Sequence, residues 1–457
     1  MNANIFKEIS QSPDPKSLYK YVAAIIFLKW IYNNTVVDKY NFSTVTLEKN
    51  KNISIRSLKN LNFNDFPGEG NLGGHLELIF RELEAENSEQ LGGLFGWIDF
   101  HNNCLQKNDD RYYYLKRISA ICVNINDDEC SVFSQLLEVA ETPSIETPPS
   151  IASLISGVIN LTDQEEIFDP VCGNGSLLLS CAAVLENENF VLSGNECNHS
   201  AWFFAKLNLL LNGFSSRGVL HKDCFAEGVS GYDEKQYDAV VGHPPWGERF
   251  SDSYHWILES LLPNMGRNQI TFLDYAFVLA ILGKMKCENG RAAVLVSNGM
   301  LTRSGAESDI RRDLIEKNLL DAVIGLPDKM FTTTSIGTSI LLFRSTRSIK
   351  EVLFVDARSY VTPGRVRNTL SDSAVKSIVS IVLNRTPLEG ISKLVPPTEI
   401  AGQAYTINVP RYMNLASSKI ESDPDFLYEK KISLRQEIDE ATVVIDDILQ
   451  MLKLHAK

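Results

Sequence analysis

What this sequence lacks narrows its function before anything it contains. The eight cysteines (Cys104, Cys122, Cys130, Cys172, Cys181, Cys197, Cys224 and Cys287) include no CxxC pair and none at ligand spacing from a histidine. Reduced structural thiols are therefore expected, and no metal site is. No HExxH, GxSxG or Walker pattern occurs, so the sequence offers no handle for metalloprotease, serine-hydrolase or P-loop chemistry. Long apolar runs are missing too: the richest near the start, Tyr21 to Leu28, is closed by Lys20 and Lys29. MNANIFKEIS has no leader pattern, so a cytoplasmic chain without a membrane partner is expected. Basic residues are scarce, with Lys+Arg 44 against Asp+Glu 57 and a net charge of -13. Such a chain grips a long stretch of DNA backbone poorly by itself, and a nucleic-acid substrate would call for a basic partner.

What is present is ordinary globular material, 44% hydrophobic and 22% charged over 457 residues, enough for two or three domains. Residues 1–138 read as a helical N-terminal domain whose helix Leu18 to Tyr32 is apolar nearly all round and so buried. From about 139 to 395, short β-branched runs alternate with helical segments: EEIFDP, LLLSCAAVLE, FVLSGNE, HSAWFFAKLNLLLNG, GVLHKD, YDAVVG, then AAVLVS, DAVIGLP, SILLF and EVLFVD. That alternation predicts an α/β fold with a mostly parallel, helix-covered sheet. Residues 396–457 form a C-terminal segment with a heptad pattern, Leu427, Leu434, Ala441 and Ile448 in one register and Lys431, Ile438, Ile445 and Leu452 in the other. A helix with a narrow seam follows, which suits either packing on its own domain or docking a partner helix.

Chemistry concentrates at two turns. After the strand ending at Phe168 comes Asp169-Pro170-Val171-Cys172-Gly173-Asn174-Gly175, then a helix from about Leu177. Two glycines there allow positive φ and close backbone approach by a ligand, although a plain tight turn would look the same. Glu196 ends the next strand, where an acidic side chain reaches ribose hydroxyls in nucleoside-binding units. Asp223 closes the third strand, placed for an adenine amino group or, equally simply, for a turn. Leu178 stands where a dinucleotide motif has its third glycine, which favours a methyl donor over NAD.

Together with Glu146-Thr147-Pro148-Pro149 upstream, the segments FDPVCGNGSLL, GNECN and HKDCF resemble the S-adenosylmethionine site of amino-methylating DNA methyltransferases. The resemblance implies that Thr147 and Pro148 lie by the methionine end. Asp169, Pro170, Gly173, Asn174 and Gly175 would line the methionine part, Glu196 the ribose, and Asp223 with Cys224 the adenine.

The fourth strand runs into His243-Pro244-Pro245-Trp246-Gly247. Paired prolines make a rigid turn at the carboxyl end of the sheet, and an aromatic residue after them suits a base rotated out of a duplex. This resembles the Asn/Asp-Pro-Pro-aromatic motif of the same family, whose side chain and first proline carbonyl accept hydrogen bonds from an adenine amine. His243 departs from that pattern: a neutral imidazole offers one acceptor in one tautomer and a protonated one offers none. Loss of one hydrogen bond, roughly 1 to 3 kcal/mol, slows such a step about ten- to a hundredfold.

From FLDYAFVLAILGKMK to TSILLF, and in LFVDAR and INVPRYM, the chain is similar to the modification subunits of type I restriction-modification systems, with Phe331 placed to touch the extruded base from its other side. That likeness implies an adenine-specific DNA methyltransferase subunit with double-stranded DNA as substrate. It also implies a specificity subunit docked through the C-terminal helix, with a second modification subunit and a restriction subunit as further partners. Two rival readings stand beside it: a non-catalytic scaffold that keeps the cofactor pocket, and methylation of a protein glutamine or RNA through the same Pro-Pro turn.

Overall fold

The computed structural model describes residues 2–12, 15–33, 35–37, 45–47, 72–100, 110–123, 129–139, 147–185, 190–225, 235–249, 271–413 and 435. The heptad at 427–452 and Glu146 lie outside these residues.

Among the described residues six helices lead: α1 (Asn2–Gln11), α2 (Pro15–Asn33), α3 (Leu72–Glu86), α4 (Ser88–Leu91), α5 (Asp110–Val123) and α6 (Glu129–Val139), with a small antiparallel pair, β1 (Thr35–Val37) and β2 (Val45–Leu47), between α2 and α3. The apolar α2 is buried from Leu18 to Ile31 apart from its half-buried Lys20. Its neighbours are α5, α6 and α9 (His199–Leu211), so a helix without a polar face finds cover on every side. Hydrogen bonds across this junction join Ser216 to Gln90 through both backbone and side chain.

The main sheet has nine strands: β3 (Glu166–Asp169), β4 (Val191–Glu196), β5 (Gly218–His221), β6 (Ala239–Gly242), β7 (Arg291–Ser297), β8 (Leu320–Gly325), β9 (Thr338–Arg344), β10 (Val352–Asp356) and β13 (Ser392–Val395). Their order is β13-β10-β8-β9-β7-β6-β3-β4-β5, with β9 and β13 antiparallel to their neighbours and the remainder parallel. A hairpin, β11 (Val361–Thr362) with β12 (Thr369–Leu370), follows β10. The mostly parallel α/β architecture expected from the sequence is borne out.

Strand residues alternate between two apolar layers, as a period of two demands. Ile167, Val241, Ala293, Leu295, Ala322, Ile340 and Leu353 join one cluster, with α2, α7 (Pro149–Val158), α8 (Ser176–Ala182), α9 and α12 (Asp372–Leu383). Phe168, Val240, Val294, Val323, Leu341 and Phe354 join the other, with α10 (Asp274–Gly283) and α11 (Ala306–Glu316). The packing does not stop at residue 395. Ile400 in α13 (Pro397–Gly402) and Ile407, Val409 and Tyr412 beyond it are buried in the second layer. Two segments are shorter than expected: α8 has seven residues, and β5 ends at His221, before Asp223.

At the amino edge one carboxylate gathers three guanidinium groups: Asp321 meets Arg344 at 2.9 Å, Arg347 at 3.0 Å and Arg385 at 2.5 Å. Asp321 and Arg347 are almost wholly buried there, and removing one partner of a buried ion pair leaves uncompensated charge. Asp321→Asn is expected to lower the unfolding free energy by roughly 3 kcal/mol or more, measured by urea titration; a loss below half that size would show the cluster to be effectively solvated.

Candidate active site at the carboxyl edge

β6, β3, β4 and β5 run parallel side by side, so their carboxyl ends share one edge. Asp169 ends β3, Glu196 ends β4, and His243 follows β6 directly. The turn after β3 is shaped by Gly173 and Gly175, at φ +56° and +79°, a region that side-chain-bearing residues enter at a cost. A Cβ on Gly175 would touch the Ala205 backbone at 3.4 Å, and one on Gly194 would come within 3.0 Å of the Asp169 carbonyl and Cys172.

Glu196 closes this turn with both oxygens. Oε2 accepts the Gly173 N–H at 3.0 Å, and Oε1 accepts the Asn198 N–H at 2.7 Å. Asn174 uses Oδ1 to accept from Ser176 N–H and its carbonyl to accept from Asn208, leaving a buried amide nitrogen, Nδ2, without a protein partner. Beside it Asp169 is buried, its Oδ1 accepting the Val171 N–H at 2.9 Å. Burial, reinforced by the nearby Glu196 charge, pushes its pKa up to about 8. Pro170 is buried with it. A buried carboxyl and an unused amide donor, on a turn held by two glycines of positive φ, make a cradle that fits a small cationic, polar ligand.

Asp223 and Cys224 lie one strand farther, both half-buried. Asp223 Oδ1 accepts the Phe225 N–H at 2.9 Å, a local turn, and burial with the Asp223 charge pushes the Cys224 thiol upward.

Thr147 does not cap α7. Pro148 occupies the cap position without a side-chain bond, and Thr147 Oγ1 instead pairs with His243 Nδ1 at 2.9 Å. The contact bridges 96 residues of chain and joins the segment before α7 to the Pro-Pro turn. Packing drives the His243 pKa down to about 3, although the ring retains some exposure; an imidazole so enclosed stays neutral at physiological pH. Pro244 is buried and Pro245 exposed. Trp246 Nε1 donates to the Leu295 carbonyl at 3.2 Å.

His243, Trp246 and Phe331 form a triangle of rings. Their centroids are 4.8 Å (His243–Trp246), 5.6 Å (His243–Phe331) and 5.2 Å (Trp246–Phe331) apart, the last pair edge to face. A flat ring sandwiched between two others needs about 7 Å, so the triangle must open before anything enters between Trp246 and Phe331.

Sequence reasoning overlooked Asp274. Its buried carboxylate accepts the Gly247 N–H at 2.9 Å and pairs with Arg303 at 2.7 Å, and Arg303 also pairs with Glu307. The turn is thereby pinned from α10. Only an acidic residue at the head of the apolar segment LDYAFVLAILG hinted at it.

The raised Asp169 pKa carries a sign for stability. An acid whose folded pKa lies above its unfolded value of 3.8 stabilises the fold fully below that value, and the contribution is lost as pH rises through about 8. Asp169→Asn, which keeps the acceptor oxygen, is expected to flatten the decline of Tm between pH 5 and pH 8; parallel Tm curves for the two proteins would show Asp169 to be ionised throughout.

Comparison with known proteins bears on the family and the fold. The family pattern described as N-6 DNA Methylase matches residues 141–421. The type I restriction enzyme MpnII methylase subunit of Mycoplasma pneumoniae is 29% identical over 331 residues, covering 67% of this chain and 60% of that protein. The MjaVIII methylase subunit of Methanocaldococcus jannaschii is 28% identical over 340 residues, covering 68% and 56%. These matches span less than two thirds of the relatives' length. Among solved structures, the type I restriction-modification methyltransferase subunit from Streptococcus thermophilus superposes with a TM-score of 0.70 at 22% identity, covering 91% of this chain and 96% of that one. A chain of the type I R-M system solved in a study of complex assembly and conformational transition gives 0.66 at 16% identity, covering 98% and 97%; likeness at these identities speaks for the fold. With more than half of its residues matched by the family pattern, the chain belongs to the N-6 DNA methylase family.

Proposed function

We propose that the chain is the methylating subunit of a type I restriction-modification-like system. It would transfer a methyl group from S-adenosylmethionine to the exocyclic amine of an adenine rotated out of double-stranded DNA. One observation carries this reading: the glycine turn after β3 and the Pro-Pro turn after β6 share one sheet edge, and the Thr147–His243 bond fastens the segment before α7 to the second of them.

Asp169, Gly173, Asn174, Gly175 and Glu196 would hold the cofactor, with Asp223 and Cys224 at its adenine end. Bound there, S-adenosylmethionine supplies an electrophilic methyl group on a sulfonium centre. The protein's own task is to present the amine. His243, kept neutral by its surroundings, donates from Nδ1–H to Thr147 Oγ1 in one tautomer and leaves Nε2 proton-free. Nε2 and the Pro244 carbonyl then accept the two amine N–H groups, as the amide and carbonyl would in the motif with asparagine. As the nitrogen takes the methyl group from the sulfonium it becomes a strong acid and sheds a proton, which Nε2 would receive. Trp246 and Phe331 part to admit the base and then cover its faces.

A second reading, a subunit that binds but does not catalyse, is favoured by the same histidine and by the closed ring triangle. A cytoplasmic setting and docking of a specificity subunit by the C-terminal heptad helix complete the proposal. Such a subunit would supply the positive charge that this chain, at -13, does not.

Calorimetry of S-adenosylmethionine with the purified chain tests the cradle separately from turnover. Binding is expected, with Asp169→Ala abolishing it. At pH 7 a proton should be released, because a cation beside Asp169 favours the carboxylate over the form stabilised below about 8; a heat independent of the buffer's ionisation enthalpy would contradict this.

Methyl transfer to DNA, assayed with the specificity partner, tests the turn. Thr147→Val and His243→Ala are each expected to lower kcat by about ten- to a hundredfold. The wild-type pH profile should show no acid limb near 6.5, since His243 titrates only near 3. Activity that appears solely in His243→Asn would establish the non-catalytic reading instead.

A further inference from the structure

Beyond the site, the large apolar side chain most exposed among the described residues is Val366, 75% accessible, at the tip of the β11–β12 hairpin. It stands between Arg365 and Arg367, neither of which forms an ion pair among the described residues. Arg358, at the base of the same hairpin, is by contrast neutralised by Asp356 through two bonds of 2.8 and 2.6 Å.

The hairpin lies on the rim of the ring triangle. It follows the carboxyl end of β10, the neighbour of β8. Asn368 donates its N–H to the Lys329 carbonyl and its Nδ2 to the Asp328 carbonyl, each at 2.8 Å, and Lys329 is two residues before Phe331. Leu370 is buried in the same apolar cluster as Met330 and Phe331, and β12 touches α7, the helix that Thr147 and Pro148 lead into. Three cations that form no ion pair among the described residues, Lys329, Arg365 and Arg367, thus gather beside the slot, in a chain whose net charge is -13. Arginines without an ion pair among the described residues, Arg365 exposed and Arg367 half-buried, beside an apolar tip suit a polyanion with an apolar groove wall more than they suit water alone.

We propose that this hairpin is a duplex-DNA contact: Arg365 and Arg367 bind backbone phosphates flanking the base offered to the slot, and Val366 rests against the groove. The inference rests on the reading of DNA as the substrate. It gives the subunit a local grip that sets the strand's position over His243, while bulk affinity comes from elsewhere.

The test uses the full chain and a fluorescently labelled DNA duplex of mixed sequence, titrated at several salt concentrations. The double variant Arg365→Gln, Arg367→Gln should bind on the order of tenfold more weakly, and its log–log salt slope should be shallower by about 2, close to one per lost phosphate contact. A control pair, Lys317→Gln with Lys350→Gln, removes the same charge just before β8 and β10, at the opposite edge, and should leave the slope as it was. Equal losses in both variants would reduce the effect to net charge and overturn the hairpin contact, as would an unaltered double variant. A wild-type chain that binds S-adenosylmethionine but no duplex even at the lowest salt would overturn the hairpin contact, while methyl transfer in the presence of the specificity partner decides separately whether DNA is the substrate.

Discussion

Burial of the main sheet on both faces is the constraint from which the site follows. Strands such as β7 and β8 carry buried side chains in both directions, with one apolar layer under α7, α8, α9 and α12 and another under α10 and α11. Apolar side chains dominate both faces, with few buried polar exceptions such as Ser193 and Asn195, so charged groups gather at strand ends. Parallel pairing then sends the ends of β3, β4, β5 and β6 to one edge, and residues far apart in sequence become neighbours.

At that edge the protein arranges carboxylates and an imidazole by opposite uses of burial. Burial raises Asp169, disfavouring its anion, and lowers His243, disfavouring its cation. Both groups therefore lean toward neutrality in the free protein, and a cationic ligand beside the first leaves the second able to accept. Glu196 differs: each oxygen is satisfied by a backbone N–H, so it shapes the turn.

Much of the fold was legible because each strand is a short β-branched run closed by turn chemistry, and each helix fills the interval between two such runs. The glycine turn and the Pro-Pro turn were legible for the same reason, since backbone conformation is written in local residue types. Two features were not. Thr147 reads as a helix-start threonine, and nothing within its neighbourhood of sequence announces a bond to a histidine 96 positions away. Asp274 sits at the head of an apolar helix, and its hold on Gly247 depends on how α10 lies against β6. Helix ends erred where apolar composition continued past the last hydrogen-bonded turn, as it does through Ala182-Ala183-Val184-Leu185 after α8.

The single hydroxyl of Thr147 has a thermodynamic corollary. Its oxygen already accepts the His243 Nδ1–H in the tautomer that leaves Nε2 proton-free. Any ligand in the cradle that recruits this hydroxyl must compete with the imidazole, so occupancy of one half of the site alters the free energy of the other. Linkage makes that influence mutual: whatever factor the first ligand imposes on the second, the second returns to the first. A side chain of three heavy atoms thus suffices to make two adjoining sites cooperative or antagonistic, without displacement of any helix or strand.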